Sequence, residues 1–398
     1  MTREELTEKV LASESDNFIL ELATGTGKTL VSVKKIAQWH TKGNQILVVI
    51  PKLILIENWK AELIKFKYDY LLEDIKFTTY VSLPKCAGNK YECIVLDEGH
   101  HTSERCMEAL EHISTRHLLV LSATLKKEHR HFFNNKYNIE LIKIGTKEAI
   151  DSNILPDPKL ILIPLSLDNN NKICAIEKNI KKTTKTKDIK VIDYSQKWSF
   201  RSYTGPLRIM CTQKQYYDDI SNLIEWYKNK GMFSSIMKNR WLHKAGERLK
   251  WLACEKEDLI KQLLRQLKRE RLIVFCPSIK NSDKLGCYCV NSKIGTENLD
   301  KFNNGEINHI AAIDMLTEGA NLSECKIAIF QMINSSERMQ VQKIGRALRH
   351  KKPVLIFPYY VGTREQEIVK EIISNYNPEL IVSLEVTTIK TKLKKEII

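Results

Sequence analysis

The segment ATGTGKT, residues 23–29, constrains this chain more than any other stretch. It follows the apolar run NFILEL (17–22) and precedes the helical pattern TLVSVKKIAQWH. A strand, a glycine-rich turn and a helix are therefore expected in immediate succession. Gly25 and Gly27 let backbone N–H groups approach an anion, and the helix N-terminus adds a favourable dipole. Thr24, Gly25, Thr26, Gly27, Lys28 and Thr29 together would cradle the phosphates of ATP, with Lys28 on the β/γ oxygens and Thr29 on Mg2+. Leu22 stands where the strict phosphate-loop pattern has Gly or Ala, five residues before Gly27. A chance glycine-rich turn is the competing reading; the coincidence of Gly-Lys-Thr with a strand before and a helix after argues against it.

A strand–turn–helix unit needs a sheet to join, and the chain supplies one. QILVVIP (45–51), KFTTYVS (76–82), ECIVLDE (92–98) and HLLVLSA (117–123) are short, apolar and rich in β-branched residues, with helical patterns between them. Continuous apolar strands of this kind read as a parallel sheet covered on both faces. The pattern returns in RLIVFCPS (271–278), HIAAIDM (309–315), KIAIFQMI (326–333) and PVLIFPYY (353–360). The expected fold is thus α/β, with two doubly wound parallel-sheet domains. Residues 1–146 form the first; 147–170 are a linker and the first strand of the second; 171–268 are a lysine-rich, mainly helical insertion; 269–385 complete the second domain; 386–398 are a basic tail. Residues 171–190 hold seven lysines against Glu177 and Asp188, a run read as a solvated face. Trp198, Trp226, Trp241 and Trp251 cluster in the insertion and, at helical spacing, read as core.

Three further segments carry chemistry. In CIVLDEGHH an apolar strand ends in Asp97 and Glu98, with His100 on the same loop. Asp97 can hold Mg2+ and Glu98 can act as general base towards an attacking water. Open α/β sheets place ligands at this carboxyl end of their strands. LSATL (121–125) brings the hydroxyls of Ser122 and Thr124 to another strand end. In QKIGRALRH (342–350), Gln342, Arg346 and Arg349 fall at helical spacing on one face, where two guanidinium groups can clamp a γ-phosphate.

The balance of 63 Lys and Arg against 48 Asp and Glu, a net charge of +15, favours a polyanionic partner. Ten cysteines lack any C-x-x-C pair, which fits reduced thiols. Cys287 and Cys289 read as same-face residues of a strand. The N-terminus MTREELTEKV lacks the apolar core of a signal peptide, and no apolar run reaches membrane-spanning length. A soluble, cytoplasmic protein is expected, in the host cytoplasm if phage-encoded.

In order and spacing, ATGTGKT, DEGH, SATL and QKIGRALRH resemble motifs I, II, III and VI of superfamily 2 helicases. VVIPKLILIENW and FTTYVSL resemble motifs Ia and Ib; IVFCPSIKNSDKL and AIDMLTEGANL resemble IV and V. The D-E-x-H box is similar to the DEAH-like branch, and within it to phage-type and type III restriction-type DNA helicases and translocases. The resemblance implies two tandem RecA-like domains with ATP hydrolysed in the cleft between them. It implies that His100, Ser122 and Thr124 couple hydrolysis to domain motion, and that Gly319 and Asn321 join Gln342, Arg346 and Arg349 in completing the ATP site. Pro51, Lys52, Thr79, Ser278 and Thr317 would lie near a nucleic-acid backbone, DNA by preference. Partners in replication, repair or restriction are implied with it. Two departures stand out: Leu6 follows Arg3 where relatives carry an adenine-reading Gln, and Asn321 replaces a frequent Asp. The alternatives are an RNA helicase, or an ATP-switched DNA-remodelling or clamp subunit that does not unwind, the motor of a restriction or defence complex included.

Overall fold

The apolar runs of the first 145 residues all become parallel strands. The computed structural model describes residues 2–53, 55–181, 183–197, 199–231, 234–290, 297–313, 325–334, 344 and 350–397. After α1 (Arg3–Ala12) come β1 (Asn17–Leu22), α2 (Lys28–Trp39), β2 (Ile46–Ile50), α3 (Leu55–Lys65), β3 (Ile75–Thr79), β4 (Lys90–Asp97), α4 (Glu104–Glu111), β5 (Ser114–Ser122), α5 (Lys127–Tyr137) and β6 (Glu140–Ile144). The strands form one six-stranded sheet in the order β3-β2-β4-β5-β1-β6, every pairing parallel. Side chains alternate between faces along each strand. Phe18, Leu20 and Leu22 enter one core with Val31, Ile36 and Trp59, while Ile19 faces the other with Leu110 and Phe133. Both faces are thereby covered by helices, which is why these strands are apolar throughout.

α6 (Thr146–Asp151) leads to β7 (Lys159–Leu165), which pairs in a second sheet. The insertion departs from expectation at its start. β8 (Lys172–Lys178), β9 (Lys190–Asp193) and β10 (Leu207–Thr212) make a small mixed sheet, β10 antiparallel to β8 and parallel to β9. Only then do α7 (Gln213–Gly231) and α8 (Ser235–Glu255) form a helical hairpin. The lysine run is therefore partly strand, with Lys172, Lys181, Lys185, Lys187 and Lys190 exposed and none of them on an α-helix.

α9 (Glu257–Gln266), expected within the insertion, instead packs Ile260, Leu263 and Leu264 against the second sheet, with Leu267 just after it. Then follow β11 (Leu272–Phe275), α10 (Ile279–Leu285), β12 (Tyr288–Val290), α11 (Glu297–Asn303), β13 (His309–Ala312), β14 (Ile327–Ile329), β15 (Val354–Tyr360) and β16 (Ile381–Ser383). With β7 they form a parallel seven-stranded sheet, β12-β13-β11-β14-β15-β7-β16. The segment expected as a basic tail is a helix, Ile389–Ile397, whose Ile389, Leu393 and Ile397 are buried in this core. Lys159 pairs with Glu396 at 2.7 Å to hold it. Its lysines face outward, so a docked amphipathic helix reads in sequence as a charged tail. Among the described residues no helix is long and apolar enough to cross a membrane.

Candidate nucleotide site

Three strand ends line up. β5 lies between β4 and β1, with Asp97 opposite Leu121 and Glu21 opposite Ser122. The phosphate-loop sequence, the Asp97–Glu98 pair and the Ser122–Thr124 hydroxyls therefore leave the same sheet edge on three adjacent strands. At about 4.8 Å per strand, the outer two are roughly 10 Å apart.

The loop after β1 is built for close approach of an anion. Gly25 and Gly27 have φ of 93° and 95°, the left-handed region glycine tolerates. Gly27 caps α2 with no side-chain hydrogen bond, leaving the first amides of the helix directed outward. A Cβ built at Gly27 meets nothing within 4 Å, so the space before the loop is open. Thr26 is buried and its hydroxyl donates to the Ala23 carbonyl at 2.8 Å, closing the turn from within. Lys28 Nζ donates to the Leu22 carbonyl at 2.8 Å. Leu22 itself is fully buried in the core. Its side chain serves packing and its carbonyl serves the lysine, so the departure from Gly or Ala leaves the turn intact. Thr24 and Thr29 sit on the same turn, Thr29 in the first turn of α2.

Asp97 is held on both sides of its backbone and side chain. Trp59 Nε1 donates to its Oδ2 at 2.9 Å, and the Tyr80 hydroxyl donates to its carbonyl at 2.7 Å. Burial, with the Asp97 charge beside it, pushes the Tyr80 phenol well above its ordinary value, so it stays a donor. Glu98 adopts φ 52°, ψ 54°, a left-handed conformation that costs a non-glycine residue on the order of 1 kcal/mol or more. Gly99 explains why the box has glycine at its third place: a Cβ there would stand 2.4 Å from Val120 Cγ1. His100 Nδ1 lies 3.5 Å from Glu98 Oε2 and 3.3 Å from Ser122 Oγ. Ser122 Oγ donates to the Thr124 carbonyl at 2.7 Å. A continuous polar path thus runs from the loop after β4 to the loop after β5.

The open, amide-lined loop and the fixed Asp97 carboxylate suit a triphosphate with a divalent cation: oxygen donors for a hard ion, N–H groups and an ammonium for the phosphates.

Pro51 and Lys52 leave the end of β2, and Thr79 ends β3, so they share this sheet edge on the strands beyond β4. Ser278 sits in the second sheet's part of the chain and caps α10: its hydroxyl donates to Asn281 Oδ1 at 2.6 Å and accepts from Asn281 N. Thr317, Gly319, Asn321, Gln342, Arg346 and Arg349 lie outside the described residues.

Two contacts escape the sequence. Arg130 of α5 donates through Nε at 3.0 Å to Glu21 Oε2, and Lys143 pairs with Glu21 Oε1 at 3.3 Å. Glu21 is 4% exposed, one position before Leu22. A charged residue inside an otherwise apolar strand was the available signal. Arg3 donates from one guanidinium nitrogen to the carbonyls of Gly25 at 3.1 Å and Ile154 at 3.2 Å. It braces the phosphate loop even though the adenine-reading Gln is missing.

Two parallel α/β sheets, the first bearing a phosphate loop and a carboxylate pair on neighbouring strands, define a nucleotide-hydrolysing motor of the helicase type. Residues 2–127 match the family described as type III restriction enzyme, res subunit, and residues 255–351 match the helicase conserved C-terminal domain. The chain belongs to superfamily 2 of the helicases and translocases, which are ATP-hydrolysing enzymes. The second match begins at residue 255, in accord with α9 packing on the second sheet. A curated relative, the DNA 3'-5' translocase XPB2 of Sulfurisphaera tokodaii, is 23% identical over 363 residues, 84% of this chain and 75% of that protein. The fold is also similar to that of S. cerevisiae Dbp5 bound to RNA and ADP BeF3, with a TM-score of 0.63 and 11% identity over 100% of this chain and 93% of that one. The ATP-dependent Type ISP restriction-modification enzyme LlaBIII bound to DNA gives a TM-score of 0.55 and 13% identity, covering 100% of this chain and 32% of that one.

Proposed function

We propose that this helicase or translocase works on DNA, hydrolysing ATP to move along the strands or separate them. The observation that carries the reading is the convergence of the phosphate loop, the Asp97–Glu98 pair and the His100–Ser122 contact at three adjacent strand ends. In this reading residues Thr24 to Thr29 hold the triphosphate, and Lys28 leaves the Leu22 carbonyl for the β/γ oxygens. Magnesium, held by the Thr29 hydroxyl and Asp97, would offset charge on the phosphate oxygens. Glu98 takes a proton from the attacking water. His100, Ser122 and Thr124 pass the state of that carboxylate to the next strand.

Gly319, Asn321, Gln342, Arg346 and Arg349 complete the site from the second domain when the domains close, so hydrolysis requires closure. Pro51, Lys52, Thr79, Ser278 and Thr317 meet the nucleic-acid backbone, and affinity rests mainly on phosphate contacts. The net charge of +15 supports a polyanionic track, and the DNA translocase relative supports DNA over RNA. The box Asp97-Glu98-Gly99-His100 supports the D-E-x-H branch, near phage-type and restriction-type motors. A cytoplasmic protein with partners in restriction, repair or replication fits that reading.

Arg346→Ala tests the split site. ATP binding should persist while hydrolysis falls by a factor on the order of 1,000. Unchanged turnover would remove the second domain from the chemistry.

A further inference from the structure

The α7–α8 hairpin contributes none of the described residues of the nucleotide site, and its tip joins cations to exposed apolar side chains. Residues 226–244, which flank its turn, contain five Lys or Arg and no Asp or Glu. Several helical lysines elsewhere are paired within a turn: Lys214 with Asp218, Lys261 with Glu257, Lys301 with Glu297. At the hairpin tip Lys228, Lys230, Lys238 and Arg240 are exposed and carry no ion pair among the described residues. Lys244 alone is neutralised, by Glu247.

Large apolar side chains stand among these cations. Trp226 is 51% exposed, Ile236 63% and Leu242 53%. Trp226 was expected in the core; Trp251, half-buried and 4.7 Å from Tyr216, packs against that core, and Trp198 lies outside the described residues. Trp226 and Tyr227 meet edge to face at 5.1 Å. Beside them an open groove of about 600 Å³ is lined by Tyr227, Ile236, Asn239, Arg240, His243 and Lys244. A solvated helix face would intersperse carboxylates and hide a tryptophan. A surface that joins unpaired cations to exposed aromatic and aliphatic side chains suits a polyanion with stackable faces.

The base of the hairpin is fixed. Lys256, at the α8–α9 junction, is fully buried; its Nζ donates to Glu365 Oε1 at 2.6 Å and to the Pro358 carbonyl at 3.0 Å. Gln331 donates to the Ala253 carbonyl at 3.0 Å, and the Tyr217 hydroxyl accepts from Arg364 N at 2.8 Å. Whatever the tip holds therefore moves with the second sheet.

We propose that the tip of the α7–α8 hairpin is a second nucleic-acid contact, which grips single-stranded nucleic acid through Lys238, Arg240 and neighbouring cations on phosphates and Trp226 on a base. It rests on the motor reading above and adds a contact outside the helicase motifs. The test uses the full chain with Lys238→Ala/Arg240→Ala and, separately, Trp226→Ala and Trp226→Phe. Binding of a fluorescent single-stranded oligonucleotide is measured across a salt series, beside ATP hydrolysis without nucleic acid.

The double variant should lower the slope of log affinity against log salt by about 1.4, two phosphates at roughly 0.7 each. Trp226→Ala should weaken binding by about fivefold or more, and Trp226→Phe should restore most of it. Hydrolysis without nucleic acid should be unchanged, since these side chains are on the surface. If the wild type binds while every variant matches it in affinity and salt slope, the hairpin contact is overturned and the motor reading stands. If the wild type binds no nucleic acid, both fall.

Discussion

His100 stands 3.3 Å from Ser122, joining the loop after β4 to the end of β5. Its Nδ1 also lies 3.5 Å from Glu98. One imidazole therefore touches the proposed general base and the neighbouring strand together. Ser122→Ala removes the second contact and leaves Glu98 in place. A hydrogen bond of this kind is worth about 1 kcal/mol. The expected result is basal hydrolysis within about fivefold of wild type and a larger loss in nucleic-acid stimulation. Equal losses in both would mean that the contact shapes the site without coupling it.

Gly99→Ala would force a Cβ to within 2.4 Å of Val120 Cγ1. Overpacking of this sort costs about 1–3 kcal/mol. The variant should unfold at a lower temperature and lose hydrolysis, because Asp97 and Glu98 share the displaced loop. Val120→Ala in the same chain should recover much of both. Thermal melts of the single and double variants check this.

Lys256 and Glu365 are both fully buried, 2.6 Å apart. Burial pulls the Lys256 ammonium below its ordinary value and pushes the Glu365 carboxyl above its own. Removing one partner strands the other. Lys256→Ala should destabilise the chain by about 3–5 kcal/mol, while Lys256→Met with Glu365→Leu should be close to neutral. Chemical denaturation of the two variants checks the sign and the order.

Burial also lowers the pKa of His117 and of His129 below the usual imidazole value. For His117 this outweighs Asp16, 3.1 Å away but mostly exposed. His117 stacks on Trp39 at 4.4 Å. The folded state thus binds fewer protons than the unfolded one in this window. Stability from both groups is complete above about pH 6.5 and is lost as pH falls through the lowered folded values. The melting temperature should drop on acidification from pH 7 to 5.5, and His117→Gln should flatten part of that slope. A slope unchanged in the variant would contradict the assignment.

The first domain was legible because strands buried on both faces are apolar throughout, and β1, β2, β4 and β5 all read that way. The Asp97–Glu98 pair was legible because chemistry sits at strand ends. β8 was not: Lys172, Glu177 and Lys178 mask its periodicity, and a solvated strand looks like a charge run. The final helix hid behind its lysines for the same reason. Arg3 on Gly25 and Arg130 on Glu21 join residues 22 and 109 positions apart, and no local pattern announces such pairs. Glu21 and Trp226 broke their local rule, and one braces the loop while the other is the centre of the hairpin proposal.

The central claim is that ATP hydrolysis at the loop after β1 drives work on DNA. The most direct measurement is the hydrolysis rate of the full chain alone and with single-stranded DNA, duplex DNA, forked DNA and RNA, beside Lys28→Ala. The account predicts stimulation by DNA above that by RNA, and a loss on the order of 100-fold or more in the variant. A rate indifferent to every nucleic acid, or turnover that survives Lys28→Ala, would contradict it.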